Sequence, residues 1–298
     1  MKIIECVPNV SEGKSMETIN AIADAISGAP GVKLLDVCMD RDHHRTVFTF
    51  LGSPADVEKA ALKACAAALD RIDMSVHRGV HPRIGAVDVV PFVPLKGATM
   101  QDAVKAAHRF GKAFGETLGV PVYFYGEAAL NRQRRDLPDI RRGGYEGLAV
   151  RMADPLWKPD AGPPVFNARS GATSVGAREP LIAFNVNLKS DDLNAAKMIA
   201  CTIRESNGGL PHVKAIGVAL ASRNVVQVSM NLTNYKVTPV RRVFEAVRKE
   251  AARYGIDVLE SELIGLIPEA ALEGTSAKDL QLMNFRKDCI LETHLAGD

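Results

Sequence analysis

The chain has 298 residues, with 37 Lys and Arg against 35 Asp and Glu; 47% of residues are hydrophobic and 24% charged. This is the balance of a globular protein with room for about two domains. A net charge of +2 and an aromatic share of 5% exclude a broad nucleic-acid-binding field with stacking platforms.

The N-terminal "MKIIECVPNV" lacks the long apolar region of a signal peptide, and no run of about 20 apolar residues could cross a bilayer. Cys6, Cys38, Cys65, Cys201 and Cys289 are far apart, without a C-x-x-C pair. Reduced thiols in a cytoplasmic protein with no membrane partner are the expectation.

"IIECV" (3–7) reads as a short strand. Ile19, Ile22, Ala23 and Ile26 then recur at helical spacing before Gly28 and Pro30. "VKLLDVCM" and "RTVFTFLG" are β-branched and aromatic runs joined by the polar turn "DRDHH", a hairpin pattern. Ser53 and Pro54 suit the N-cap and first position of a helix that carries Val57, Ala61, Ala64 and Ala68 on one face. "AVDVVPFVPL" is apolar enough for a buried strand, which completes a β-α-β-β-α-β order. A further helix follows Thr99, with Asp102 placed for a capping box, and leads to the strand "VPVYFYG". The Pro- and Gly-rich stretch from Asp154 to Pro180 is expected to cross between domains, and its length marks it as a binding segment.

The same order restarts at "LIAFNVNL" (181–188): a helix capped by Ser190, two strands across "ASRN", a helix with Thr238 as N-cap and Pro239 at its first position, and the strand "DVLESELIGLIP". The expected class is α+β, with two ferredoxin-like (βαββαβ) subdomains in tandem, 1–180 and 181–298, and a ligand cleft between them.

Phosphate-loop and nucleophile-elbow signatures are absent. "SGATSVGA" (170–177) could offer backbone N–H groups to an anion, or simply turn between domains. His43, His44, His77 and His81 fall in two polar loops, with Asp40, Asp42 and Asp88 near in sequence. A zinc site is one reading, although the four-residue spacing of His77 and His81 is not on a helix. A single acid/base imidazole is another: Pro82 biases His81 towards extended backbone, and Gly79 allows a sharp turn before it. An incidental polar turn is the third. Arg132, Arg134, Arg135, Arg141 and Arg142 make the densest basic stretch, which is either a solvated face or a rim for polyanionic ligands.

Five segments in order, "CVPNVSEG", "HPRIGAVDVVPFVPL", "VPVYFYGEAA", "GPPVFNARSGATSVGAR" and "LIAFNVNL", resemble the formiminotransferase family over nearly the whole chain. No segment is left for the cyclodeaminase part fused to this domain in animals. The resemblance implies two ferredoxin-like subdomains, usually in a homodimer, with a cyclodeaminase that could act as a separate chain.

It also implies transfer of a formimidoyl group between glutamate and tetrahydrofolate as co-substrate, without a metal, as a step of histidine degradation. The family's catalytic histidine matches His81. Its folate-binding segment matches Gly162, Pro163, Pro164, Val165, Phe166, Asn167, Ala168, Arg169, Ser170 and Gly171. Arg132, Arg134 and Arg135 become candidates for steering the anionic substrates. His44 and Ser170 depart from residues often found in the family, so substrate contacts near them stay open, as does glycine in place of glutamate, formyl in place of formimidoyl, or a non-catalytic folate-binding relative.

Overall fold

The computed structural model describes residues 1–283 and 285–295, so the expected end of the second subdomain at 298 lies outside the described residues. The chain separates into two compact units, Met1–Arg178 and Glu179–Asp298.

In the first unit, β1 (Ile4–Cys6) and β2 (Asn9–Val10) act as one strand interrupted near Pro8, since both pair antiparallel with the same two neighbours. Pro8 has no N–H to give to a ladder, which breaks the strand there. Helix α1 (Met16–Ser27) starts at Ser15, whose hydroxyl accepts from Thr18 N. β3 (Val32–Asp40) and β4 (Arg45–Gly52) form the expected hairpin, and Asp40 pairs with Arg45 across a four-residue turn. Ser53 caps α2 (Pro54–Arg71), and β5 (Val87–Pro94) follows a loop that carries His77 and His81. Helix α3 (Met100–Leu118) opens with the full Thr99–Asp102 capping box and leads to β6 (Val122–Gly126).

After the short helices α4 (Leu137–Ile140) and α5 (Gly144–Met152), β7 (Thr173–Ala177) inserts between β5 and β6, parallel to both. The sheet therefore runs β3, β4, β1/β2, β5, β7, β6. This corrects the reading of 154–180 as an interdomain crossing, because 173–177 is a fully buried strand of the first unit. Its small residues hid it. A Cβ at Gly176 would stand 2.5 Å from the Tyr125 ring, so the strand accommodates that side chain by having none of its own.

Alternation sorts the sheet into two faces. Val122 and Phe124 join the core built with α1, α2 and α3, whereas Tyr123 and Tyr125 join a second cluster with Ile140, Leu148 and Met152.

The second unit contains β8 (Ile182–Leu188), α6 (Leu193–Ile203), β9 (Val213–Leu220), β10 (Val225–Leu232), α7 (Val240–Arg253) and β11 (Val258–Ile264). Its sheet is wholly antiparallel in the order β11, β8, β10, β9. Two helix starts differ from expectation. Asp192 caps α6 by accepting from Asn194 N and Ala195 N. At α7 the cap position is Pro239, and Thr238 is buried with its hydroxyl donating to Pro211 O. A hydroxyl that finds a long-range carbonyl leaves its local capping role.

Candidate functional site

The site grows from the loop between α2 and β5, which is tied down at both ends. Met74 N donates to Arg169 O at 2.9 Å, Ala86 N to Ser170 O at 2.8 Å, and Ala172 N to Ile84 O at 3.0 Å. The His81 loop and the end of the 162–171 segment are thus one backbone lattice. Both Gly85 and Gly171 are required by that approach: a Cβ on Gly85 would lie 2.2 Å from Ala172 O, and one on Gly171, at φ +65°, 2.2 Å from Ile84 O.

A second set of contacts docks the loop on the β3–β4 turn. His44 and His77 stack with ring centroids 4.2 Å apart. His77 Nε2 lies 3.0 Å from His44 O, while its Nδ1 accepts from Arg83 Nε at 3.2 Å. A carbonyl only accepts and a guanidinium only donates, so these partners select neutral His77 with its proton on Nε2. Burial is the main force that lowers the His77 pKa to about 4. Arg83 in turn forms a two-pronged pair with Glu146, at 2.7 and 3.0 Å.

Glu12 supports His44 from the other side, with its carboxylate 3.4 Å from His44 Nε2. Burial alone would raise the Glu12 pKa, but the N–H groups of Ser15 and Lys14 and the neighbouring His44 outweigh it, and the net direction is down.

His81 is half-buried at the end of this lattice. Its Nδ1 lies 2.8 Å from Pro82 O and also meets Arg45 Nη1. One nitrogen cannot satisfy both partners: Pro82 holds the Nδ1–H tautomer and Arg45 the Nε2–H tautomer. Burial, followed by the positive charges of Arg45 and Arg141 and by His43, pushes the His81 pKa well below the ordinary histidine value. The imidazole is therefore neutral at neutral pH.

Arg45 also donates to Asn9 Oδ1 and lies 3.6 Å from Asp88, which is 1% exposed and pairs with Arg141. Asp88 Oδ1 accepts from Ile84 N at 2.9 Å, so the same carboxylate shapes the His81 loop. His43 tilts against His81, with ring centroids 5.6 Å apart, and its Nδ1 is 3.4 Å from Asp40.

The four loop histidines therefore come together, but the ring nitrogens of His77 and His44 face backbone carbonyls, Arg83 and Glu12. Among the described residues no group of three or more His, Cys, Asp or Glu is disposed to hold a metal ion.

In the 162–171 segment, Gly162 has φ +76° and packs on Gly115 and Val120, and Pro163 follows it. Pro164, Val165 and Ala168 are exposed, and the Phe166 ring is 5.7 Å from that of Tyr145. Tyr145 donates to Ala168 O, Asn167 Oδ1 accepts from Arg169 N and Ser170 N, Arg169 reaches Asp70 O, and Ser170 is buried. The basic stretch is divided. Arg134 is buried, paired with Asp160 at 2.6 Å and bonded to Leu156 O and Lys158 O. Arg135 pairs with Glu127, and Arg132 is exposed.

Sequence reasoning missed Arg45 and Asn9, and it did not connect Asp88 with Arg141. The available signal was Asp88 itself, a carboxylate inside the apolar run "AVDVVPF", which calls for a paired cation.

Comparison with known proteins adds an independent line. A family model described as "Formiminotransferase domain, N-terminal subdomain" matches residues 3–178, and one described as "Formiminotransferase domain" matches 183–284. The chain is 48% identical over 294 residues to a glutamate formimidoyltransferase of Thermoplasma acidophilum, covering 98% of this chain and 97% of that one. A glutamate formimidoyltransferase of Streptococcus pyogenes serotype M1 is 41% identical, covering 99% of both. A formimidoyltransferase-cyclodeaminase of Sus scrofa is 46% identical over 93% of this chain, which spans 52% of that longer protein.

Proposed function

This chain belongs to the formiminotransferase family and is a transferase, and from that premise we propose that it moves a formimidoyl group between N-formimidoyl-L-glutamate and N5 of tetrahydrofolate, with His81 as general acid and base. The observation that carries the role of His81 is its protonation environment. In the Nδ1–H tautomer, the one that Pro82 O accepts from, Nε2 keeps a free lone pair, and the cationic surroundings make a protonated His81 a strong acid.

The amine N5–H attacks the formimidoyl carbon, a new C–N bond forms, and Nε2 takes the proton. The tetrahedral intermediate then breaks its bond to the glutamate nitrogen, which recovers the proton from the imidazolium. The reverse direction uses the same steps in reverse order. Holding both substrates beside one imidazole supplies the entropic part of the acceleration.

The 162–171 segment is the proposed folate contact, and its hydrogen bonds to the His81 loop would couple cofactor seating to catalytic geometry. Of the three arginines in the steering hypothesis, Arg132 and Arg135 are exposed, whereas Arg134 is committed to Asp160. The relatives' names specify glutamate, which favours it over glycine as the amino acid. Each unit is read as a ferredoxin-like subdomain, the first (1–180) carrying His81 and the folate segment and the second spanning 181–298. The proposed setting is a cytoplasmic homodimer in histidine degradation, working alongside a cyclodeaminase.

The test is turnover of 5-formimidoyltetrahydrofolate with glutamate, with glycine and with no acceptor, with His81→Ala alongside. Glutamate-dependent loss of the formimidoyl group that collapses in the variant supports the proposal. Folate binding without turnover in the wild type overturns it in favour of a binding protein.

A further inference from the structure

The geometry points to a carboxylate-binding site on Arg45 and Arg141, beside His81, that takes the α-carboxylate of the amino-acid substrate. The inference rests on the function proposed above and assigns the part of the substrate that this corner holds.

Acceptors are in short supply around these two guanidiniums. Two guanidiniums share Asp88: Arg141 binds its Oδ2, from which Arg45 Nη2 is 3.6 Å, and Oδ1 is taken by Ile84 N. Asp40, the other carboxylate acting on Arg45, already accepts from the His43 backbone at 2.7 Å and faces the His43 ring. Asn9 is neutral, and His81 can offer Arg45 only Nδ1, for which Pro82 O competes. Arg141 Nε is buried with no hydrogen-bond partner. Burial and the repulsion from Arg141 lower the Arg45 pKa to about 10, the response of a cation crowded by another. An incoming carboxylate would supply both the charge and the acceptors that this corner lacks.

The geometry of the substrate fits the same corner. In an α-amino acid the carboxylate and the reacting nitrogen share one carbon. A carboxylate seated on Arg45, which touches His81, therefore brings that nitrogen to the imidazole. The carboxylates of folate are separated from N5 by the whole aminobenzoyl group and cannot occupy the corner while N5 reacts. The side-chain carboxylate of glutamate is also too remote along its chain to replace the α-group without moving the nitrogen away.

Wild-type protein tests this with N-formimidoyl-L-glutamate, with N-formimidoyl-4-aminobutyrate, which lacks the α-carboxylate, and with N-formimidoyl-2-aminobutyrate, which lacks only the side-chain one. The expected result is a fall in kcat/KM of roughly a hundredfold for the first analogue and a much smaller one for the second. In Arg141→Met the glutamate derivative should drop to the level of the 4-aminobutyrate derivative, while KM for tetrahydrofolate stays unchanged. Wild-type turnover of the two derivatives within about threefold of each other overturns the site. So does discrimination that survives in Arg141→Met.

Tetrahydropteroate, which lacks the folate glutamate, separates the two sources of carboxylate. If Arg141→Met erases sensitivity to that tail instead, the corner belongs to folate and the inference fails. Calorimetric titration of wild-type protein with glutamate and with 4-aminobutyrate reads the same site without turnover. Absence of catalysis would thus count against the proposed function, and equal binding of the two amino acids against the carboxylate site.

Discussion

The β3–β4 and β9–β10 hairpins solve one backbone problem with different residues. Each has a four-residue turn, 41–44 and 221–224, and each ends that turn in the left-handed region, at His44 and Asn224, both with φ +52°. Asparagine adopts this conformation at low cost, and Asn224 is exposed. His44 is less suited to it, but its ring stacks on His77, and its carbonyl receives His77 Nε2–H.

The strands that follow differ in the same way. β4 begins with Arg45, tied to His81, Asn9 and Asp88, whereas β10 begins with Val225. On the β10 sheet the buried donors are carboxamides: Gln227 donates to Asn187 Oδ1 at 2.9 Å and to the Glu262 carboxylate, and Asn185 and Asn187 donate to Glu262 and Glu260. The β9–β10 turn carries a part-exposed ion pair, Arg223 with Glu260. The other hairpin carries backbone strain and buried charge that contacts to the His81 loop offset, the pattern expected where function constrains packing.

The largest effect that would sharpen this contrast is on catalysis. His81→Ala should reduce kcat by about 10²–10⁴-fold with unchanged melting, the range for loss of a general acid/base. Melting that falls in parallel would instead reduce His81 to a structural residue.

The buried charges come next. Asp88→Ala leaves Arg45 and Arg141 facing each other and should cost about 3–5 kcal/mol by urea unfolding. Gln227→Leu, which in the second unit removes the hydrogen bonds to Asn187 and to the Glu262 carboxylate but strips no buried ion pair, should cost about 1.5–3 kcal/mol. Equal costs would remove the distinction between the two sheets.

A pH dependence follows from His77. Its folded pKa, about 4, lies below the ordinary 6.5, so between these values the unfolded chain binds the proton and the folded chain does not. Its contribution is complete above pH 6.5 and is lost as pH falls towards 4, amounting to at most about 3 kcal/mol. His43 and His81 are shifted in the same direction and steepen the loss. His77→Gln should flatten the slope of unfolding free energy across that window; an unchanged slope would locate the protons elsewhere.

The smallest effect lies in the turns themselves. His44→Gly relieves the left-handed strain but loses the ring stack, so it should destabilise by about 1 kcal/mol. Asn224→Gly should be neutral within about 0.5 kcal/mol. Thermal unfolding of the pair checks both values.

Much of this architecture was legible along the chain. Ser15, Ser53 and the Thr99–Asp102 box act within three residues of themselves, and the apolar spacing of α1, α2 and α3 needs no partner to be read. The same holds for the "HPR" setting of His81, since Pro82 and Gly79 act on the adjoining backbone. β7 was not legible, because Gly176 makes sense only beneath the Tyr125 ring. Thr238 looked like a cap until Pro211 O, 27 residues away, competed for its hydroxyl.

The sequence by itself determined the local elements, their repeated order and the loop on which His81 stands, because caps, turns and periodicity are short-range effects. Only the tertiary structure decided that Asn9, Arg45, Asp88 and Arg141 meet at that histidine. Residues 9, 45 and 88 become neighbours through the register of β2, β4 and β5, and residue 141 enters from α4. Charge pairing between residues 43 and 53 positions apart has no periodic signature, because burial and strand register, not spacing, bring the groups together.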